Sequence, residues 1–445
     1  MQHMSLRRVQ PVWRWVIILL VVAGLLFFGF VCWMQFGPNS FNRRVAAIRA
    51  AGDPTSIAEL APKPISSERN AASQLAAVAP QFAAFGADLN QFYNSPVGQA
   101  YQELRDRGEP PTAMQLAAIR AIVDKYPELP PAIDRAVDCE VFASALDYSL
   151  PPPQFIAATS TSMGDVRTVA RFLHWRMAIA IADRRADDAV TIGCQLLTLA
   201  RLYESEPGVI HMLVSMALRG MAAESLARAL TSGEVAAERH AELDRELALH
   251  EQINNLTGAL TSERAISIDM LKSHIDAGGG VLAVISPMKL QTRPVLDFYD
   301  AALPLVERPW FESHTQLGRV NAQLTQSKLA VMAESLAPSI QAAFDASNRT
   351  LAVMRSLRVL NALQQFATKN QRPAKGLEDL ALPKGSTIDP FTGKPVLLKQ
   401  TADGWIVYSV HRNGVDDGGR LADLEDAGVG PPSAYAKPPA SGEEY

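Results

Sequence analysis

Residues 165–182 read DVRTVARFLHWRMAIAIA, and the apolar side chains in this stretch recur at spacings of three and four. The resulting stripe consists of Val166, Val169, Ala170, Leu173, Met177 and Ile181. Such spacing is typical of an amphipathic α-helix whose apolar face packs on a core. Similar stripes follow in residues 189–203 and 208–230, and the short connections between them predict antiparallel neighbours. The fold class expected from this region is therefore mainly α.

Alanine-rich helical patterns surround this region, from residue 66 to about residue 272. Prolines within residues 127–131 and 151–153 interrupt them, because proline cannot continue a helix. There is no clean self-similarity of the kind that repeat arrays show. We therefore expect residues 65–345 to form an α-helical bundle or an irregular solenoid.

The N-terminal region contains a run of 19 residues without a charged side chain, residues 16–34. As a helix this run would be about 28 Å long, which matches the hydrocarbon thickness of a bilayer. Trp13, Trp15 and Trp33 lie near its ends, where amphipathic rings prefer the lipid headgroups. The run is longer than the apolar part of a typical signal peptide, and no A-x-A cleavage site follows it. We predict that residues 1–36 are a basic segment and an uncleaved transmembrane anchor that contacts the lipid bilayer.

Arginines lie on both sides of the apolar run, three in residues 7–14 and three in residues 43–49. A short basic start followed by a long translocated domain is the usual layout of a signal-anchor, so we expect the N-terminus inside. The predicted location is the bacterial inner (cytoplasmic) membrane, with a single pass and the bulk of the chain extracytoplasmic, in the periplasm. Residues 37–64, which Gly52-Asp53-Pro54 interrupts, predict a stalk or linker.

Turn residues and strand patterns coincide near the C-terminus. Asp389-Pro390 opens a tight turn and Gly393 can take a positive φ. Residues 396–400 and 405–410 predict two strands of an antiparallel hairpin, because an Asp-Gly pair, Asp403-Gly404, separates two apolar runs. With a long helix over residues 348–369, residues 346–430 predict a small α+β module. Residues 431–445 are rich in Pro, Ser and Gly and predict a disordered tail.

The loop after the second strand is rich in oxygen donors and glycines. Its candidate metal ligands are Asn413, Asp416, Asp417 and Asp423. Carboxylate and amide oxygens in a bent loop are what Ca²⁺ requires, so the sequence predicts a calcium site. The same residues also occur in ordinary solvated surface loops, and their spacing is not that of an EF-hand.

The order of motifs in this module resembles the C-terminal half of the major pseudopilin of type II secretion. The matching motifs are Leu377-Glu378-Asp379-Leu380, Asp389-Pro390-Phe391, Gly393-Lys394-Pro395, Tyr408-Ser409, Asn413-Gly414 and Gly418-Gly419. The resemblance implies a calcium-binding last loop that stabilises a small sheet. It covers about the last fifth of the chain, and Asn413 replaces the aspartate of the family, which should weaken calcium binding. The chain as a whole resembles large membrane-anchored proteins of planctomycete-type bacteria, a comparison that supplies no activity.

No enzyme motif is present. H-E-x-x-H, G-x-S-x-G and a dinucleotide fingerprint are all missing, and Gly278-Gly279-Gly280 is not followed by the Lys and Ser/Thr of a phosphate loop. The net charge of −4 over 445 residues and the lack of a basic block exclude a nucleic-acid partner. Two His–acid pairs, His240 with Asp244 and Glu246 with His250, predict solvated ion pairs on a helix surface.

These observations favour a non-enzymatic function. We expect an envelope scaffold or protein-binding protein with a pseudopilin-like module that a calcium ion stabilises. The alternative is an envelope hydrolase whose active site is assembled in the helical domain from residues distant in sequence. A true pseudopilin is disfavoured, because about 300 residues separate anchor and module and no prepilin cleavage site is present.

Overall fold

The computed structural model describes residues 21–22, 24–25, 40–107, 109–252, 255–277, 287–325, 331–422 and 425–435. The α-helices are α1 (Phe41–Ala50), α2 (Ala71–Ala76), α3 (Ala79–Asn94), α4 (Pro96–Asp106), α5 (Ala113–Val123), α6 (Leu129–Val137), α7 (Pro152–Ala182), α8 (Ala186–Tyr203), α9 (Val209–Ser232), α10 (Ala237–Gln252), α11 (Leu256–Ala277), α12 (Pro287–Val306), α13 (Trp310–Thr325) and α14 (Val331–Asn370). The strands are β1 (Leu397–Thr401), β2 (Gly404–Ser409) and β3 (Ala427–Val429). The predicted class, mainly helical with a small antiparallel sheet at the C-terminus, is confirmed. The predicted anchor at 16–34 lies almost wholly outside the described residues.

The centre of the fold is the antiparallel packing of α7, α8 and α9. Five members of the predicted stripe on α7 are buried, and the sixth, Ile181, is half-buried. Trp175 extends this core on another face of α7, where its ring meets Phe85 edge-on at 5.7 Å and Phe92 at 5.2 Å. Helix α7 therefore joins the N-terminal helices to the central ones.

Within the described residues, α9 is the one helix that is long and apolar enough to cross a membrane. It spans 24 residues, and 67% of its most apolar window is buried inside the protein. Its neighbours are α7, α8, α11 and α14. It is thus packed as the core helix of this fold.

The described part of the predicted stalk lies against the helical body. Arg44 forms ion pairs of 2.6 Å with both Asp297 and Asp300 on α12. Val45 packs in a small apolar cluster with Ile268 and Leu296. Residues 41–50 therefore form a helix that is fixed to α11 and α12.

Helix α14, with 40 residues, connects the helical body to the C-terminal sheet. It packs on α9, α10, α12 and α13 along its length and on β2 and β3. The helix predicted at 348–369 is its C-terminal half, and the predicted boundary at residue 345 lies inside it. Body and sheet thus share one continuous helix.

The sheet has the order β1-β2-β3, with both pairs antiparallel. Leu397 pairs with Tyr408 and Thr401 with Gly404, which confirms the predicted hairpin. Strand β3 was not expected from the sequence. Gly428 of β3 lies so close to Val407 that a Cβ atom would come within 2.1 Å of the Val407 carbonyl oxygen. This close approach requires glycine there.

The turn at Asp389 connects the sheet to the helical body through hydrogen bonds and ring packing. The buried Asp389 carboxylate accepts bonds from the Phe391 amide at 2.8 Å and from the Ser409 hydroxyl at 2.7 Å. Gly393 has the expected positive φ of 69°. The Phe391 ring packs edge-on against Trp310 of α13, with centroids 4.8 Å apart.

Candidate functional site

A large concave surface, a groove of about 780 Å³, lies between α2, residues 142–150 and the N-terminal half of α7. Its walls are mainly apolar. The larger apolar side chains that line it are Ile65, Leu75, Phe82, Phe142, Leu146, Leu150, Val166 and Val169. A half-open cavity of this size and lining is typical of a binding site. We call it the α2–α7 groove.

One wall of the groove is an extended segment, residues 141–146, which Asn70 holds in place. The Asn70 side chain donates to the Ala143 carbonyl and accepts from the Ala143 amide, both at 2.9 Å. The same oxygen accepts from the Ala72 amide at 3.1 Å and so caps α2. Because one side chain fixes both walls, the groove is preformed.

A buried polar cluster lies beneath this segment. Glu206 accepts from the Ser144 amide at 2.8 Å, and the Ser144 and Ser162 hydroxyls are 2.7 Å apart. Burial raises the pKa of the Glu206 carboxyl, and the amide and hydroxyl of Ser144 offset part of that rise. Burial also raises the pKa of Tyr203 beside them, and the hydroxyl of Ser162 offsets part of that rise. A buried carboxyl whose pKa is raised in this way, set among hydroxyls, is the kind of group that can take part in proton transfer.

A second cavity of about 350 Å³ adjoins the groove and shares Pro62, Ile65, Phe142 and Ala143 with it. Ser205 and Glu206 also line this cavity. The Ser205 hydroxyl lies 3.1 Å from the Phe142 carbonyl, so the extended segment is held from this side too. The two cavities together form one long depression on the helical body.

The predicted metal ligands lie in an exposed loop and bond mainly to that loop. Asn413 donates to Asp417 at 3.0 Å, and Asp416 accepts from the Gly418 amide at 2.9 Å and from the Tyr408 hydroxyl at 3.0 Å. Asp423 lies outside the described residues. Within the described ranges, no group of three or more His, Cys, Asp and Glu side chains has a geometry that could hold a metal ion.

Asp426 is a carboxylate of the same loop that sequence reasoning missed. It is buried, and one of its oxygens accepts from the Gly419 amide at 2.8 Å. Its other oxygen has no hydrogen-bond partner in the part of the chain that is described. Burial raises the pKa of Asp426, and the nearby charges of Asp417 and Asp416 add to the rise. An orphaned carboxylate oxygen near two further carboxylates fits part of a calcium site.

Both histidines of the His–acid pairs predicted to be solvated are buried, so the predicted solvation is wrong for them, whereas the Asp244 side chain is 39% exposed. His240 and His250 are 2% and 3% exposed. Asp244 pairs with Arg358 of α14 at 2.7 Å, and Glu246 pairs with Arg201 of α8 at 3.1 Å. Helix α10 is covered by α8 and α14, which i,i+4 spacing alone does not reveal.

The groove could not be located from sequence motifs. Its residues come from positions 62–82 and 142–169, and the topology alone brings them together. The signals present were the proline-rich start at 62–64 and an asparagine, Asn70, at a helix N-terminus. Comparisons with protein-family models, with curated proteins and with solved structures gave no significant match to this chain.

Proposed function

We propose that this protein is a membrane-anchored envelope scaffold that binds a protein partner through the α2–α7 groove. The observation that carries the proposal is the groove itself, a preformed apolar surface on the helical body. Apolar grooves with a few fixed polar groups are the usual receptors for peptide segments of other proteins. The pseudopilin-like module then acts as a rigid end of the scaffold.

The expected occupant is an apolar segment of the partner, in extended or helical form. Side chains such as Leu or Phe would contact Leu75, Phe82 and Val166. Two carboxylates, Asp147 and Asp165, line the groove with a single lysine, Lys63, so a basic residue beside the apolar ones is favoured.

Filling the groove tests this proposal. Ala76 is exposed and lines the groove, whereas its neighbour Ala77 is exposed and does not. Peptides selected from a random library on the full chain should lose affinity by about tenfold or more in Ala76→Trp, because the indole occupies their site. The measurement is fluorescence polarisation with the selected peptides.

Ala77→Trp is the matched control and should leave their affinity unchanged. Equal affinity for the wild type and both variants would place the peptides elsewhere and contradict the proposal. Failure to select any peptide would contradict it as well.

The proposed membrane anchor, and with it the proposed location of the protein, depends on residues 16–34. Five residues separate the end of this run from Ser40, so α1 lies within about 20 Å of the predicted membrane. We expect the full chain to stay in the membrane fraction during alkaline carbonate extraction. Its release into the supernatant would contradict the anchor.

Calcium binding to the C-terminal loop is also part of the proposal, with Asn413, Asp416, Asp417, Asp423 and Asp426 as candidate ligands. The orphaned Asp426 oxygen supports it. Calcium at a hundredfold excess over Kd should stabilise the fold by about 2.7 kcal/mol. Thermal melts of the full chain with calcium and with chelator measure this. The shift should be absent in Asp416→Ala with Asp417→Ala, and a wild type that melts equally in both buffers contradicts the site.

A further inference from the structure

A polar cavity of about 340 Å³ lies where the α9–α10 connection, the C-terminal half of α14 and the β1–β2 turn meet. It is distant in sequence from the α2–α7 groove and shares no residue with it. Its polar lining residues are Thr231, Ser232, Glu234, His240, Gln364, Thr368 and Asp403. Neither Lys nor Arg lines it.

Among these polar lining residues, His240 is the buried one, with 2% of its surface exposed. Its Nδ1 lies 2.7 Å from Oδ1 of Asn361, and Nδ2 of Asn361 donates to the His240 carbonyl at 3.0 Å. Because a carbonyl can only accept, the second bond fixes which end of the Asn361 amide is the oxygen. Nδ1 of His240 therefore carries the hydrogen that Oδ1 accepts.

The other ring nitrogen, Nε2, consequently has a free lone pair in the neutral ring. It makes no hydrogen bond within the described ranges. This nitrogen is not fully buried, so it is accessible to water or to a ligand in the cavity that His240 lines. The cavity that His240 lines is where a partner can be supplied.

Two of the hydroxyls and both carboxylates of the lining are further acceptors. The hydroxyls of Thr231 and Ser232 already donate to the Ala227 and Ala229 carbonyls at 3.0 Å, which leaves their lone pairs. Glu234 and Asp403 are exposed and form no ion pair among the described residues. A ligand that matches this lining brings several N–H donors and a positive charge.

We propose that this cavity binds a small organic cation, an ammonium or guanidinium group, which donates to Nε2 of His240 and is held by the carboxylates of Glu234 and Asp403. A divalent metal ion is the less suitable ligand, because these three side chains are not arranged as a metal-holding group in the described structure. Since Asp403 belongs to the hairpin turn and His240 to α10, a bound cation links the sheet to the body.

The probe for this site is agmatine, which carries both a guanidinium and an ammonium group. Isothermal titration calorimetry on the full chain should detect its binding. Asp403→Asn and Glu234→Gln, both at exposed positions, should each weaken binding about tenfold, since each removes one charge-assisted contact. Glu238→Gln, an exposed carboxylate outside the cavity, is the matched control and should bind as the wild type does.

The ¹⁵N resonance of His240 Nε2 gives a second readout, which a purely structural role would not move. It should shift on saturation with agmatine while the Nδ1 proton stays in place. No binding of agmatine by the wild type, equal binding by all variants, or an unmoved Nε2 resonance would each overturn the proposal. Binding of glucose in place of agmatine would also overturn it, since it would indicate a polyol site.

Discussion

Replacing Arg219 by methionine is expected to lower the free energy of unfolding by about 3–5 kcal/mol. Arg219 lies in the middle of α9 with 3% of its surface exposed, and it pairs with the equally buried Glu204. It also donates from Nε to Nδ1 of His250 at 2.8 Å. Methionine keeps most of the volume but leaves the Glu204 carboxylate buried without its cation. Urea denaturation of the two proteins measures the difference.

His250 cannot replace the lost positive charge of Arg219 beside Glu204. Burial lowers the pKa of His250 to about 4, so the ring is neutral at pH 7 and cannot replace the cation. The neutral ring is also what allows Nδ1 to accept from Arg219.

Two controls separate this effect from a general intolerance of substitution. Arg228→Met breaks a partly exposed pair with Glu224 on the same helix and should cost less than about 1 kcal/mol. Glu204→Leu combined with Arg219→Met removes both charges and should recover much of the stability. A loss below about 1 kcal/mol for Arg219→Met alone would show that the buried pair is not needed.

Trp175→Ala is expected to cost about 3–5 kcal/mol, because it opens a cavity among the N-terminal helices. The indole is fully buried and meets the rings of Phe85, Phe92 and Tyr93 within 6.1 Å. Trp175→Phe should cost clearly less, since Nε1 has no hydrogen-bond partner in the described structure that could be lost. Thermal and urea unfolding of both variants measure the costs.

Met114→Ala is the control for this series. Met114 is 70% exposed, so its truncation should change the free energy of unfolding by less than about 0.5 kcal/mol. Similar losses for Trp175→Ala and Met114→Ala would contradict the assignment of Trp175 to the core that joins α3 and α7.

The elements that sequence predicted well are those with local signals. The stripe from Val166 to Met177 follows helical spacing, and Asp403-Gly404 marks the hairpin turn, so both were recognised. Strand β3 was not recognised, because its three residues show no alternation of apolar and polar side chains. They gain their strand conformation from pairing with β2. Its existence depends on a contact between residues about 20 positions apart.

The candidate sites were harder to predict because they are made of distant residues. The Arg219 cluster, the groove and the His240 cavity all join different helices, and none has a motif. The metal prediction relied on a loop whose exposed Asn413 and Asp416 were visible in sequence. Asp426, the buried carboxylate beside them, was not recognised, because a single aspartate carries no signal of burial.

Site-specific photo-crosslinking in intact cells tests the central claim, partner binding in the α2–α7 groove, most directly. A benzophenone amino acid is placed at position 76, inside the groove, or at position 77, outside it. The account predicts one dominant protein adduct from position 76 that is absent from position 77, with an apolar segment of the partner identified by mass spectrometry. Equal adducts from both positions, or none from either, would contradict it.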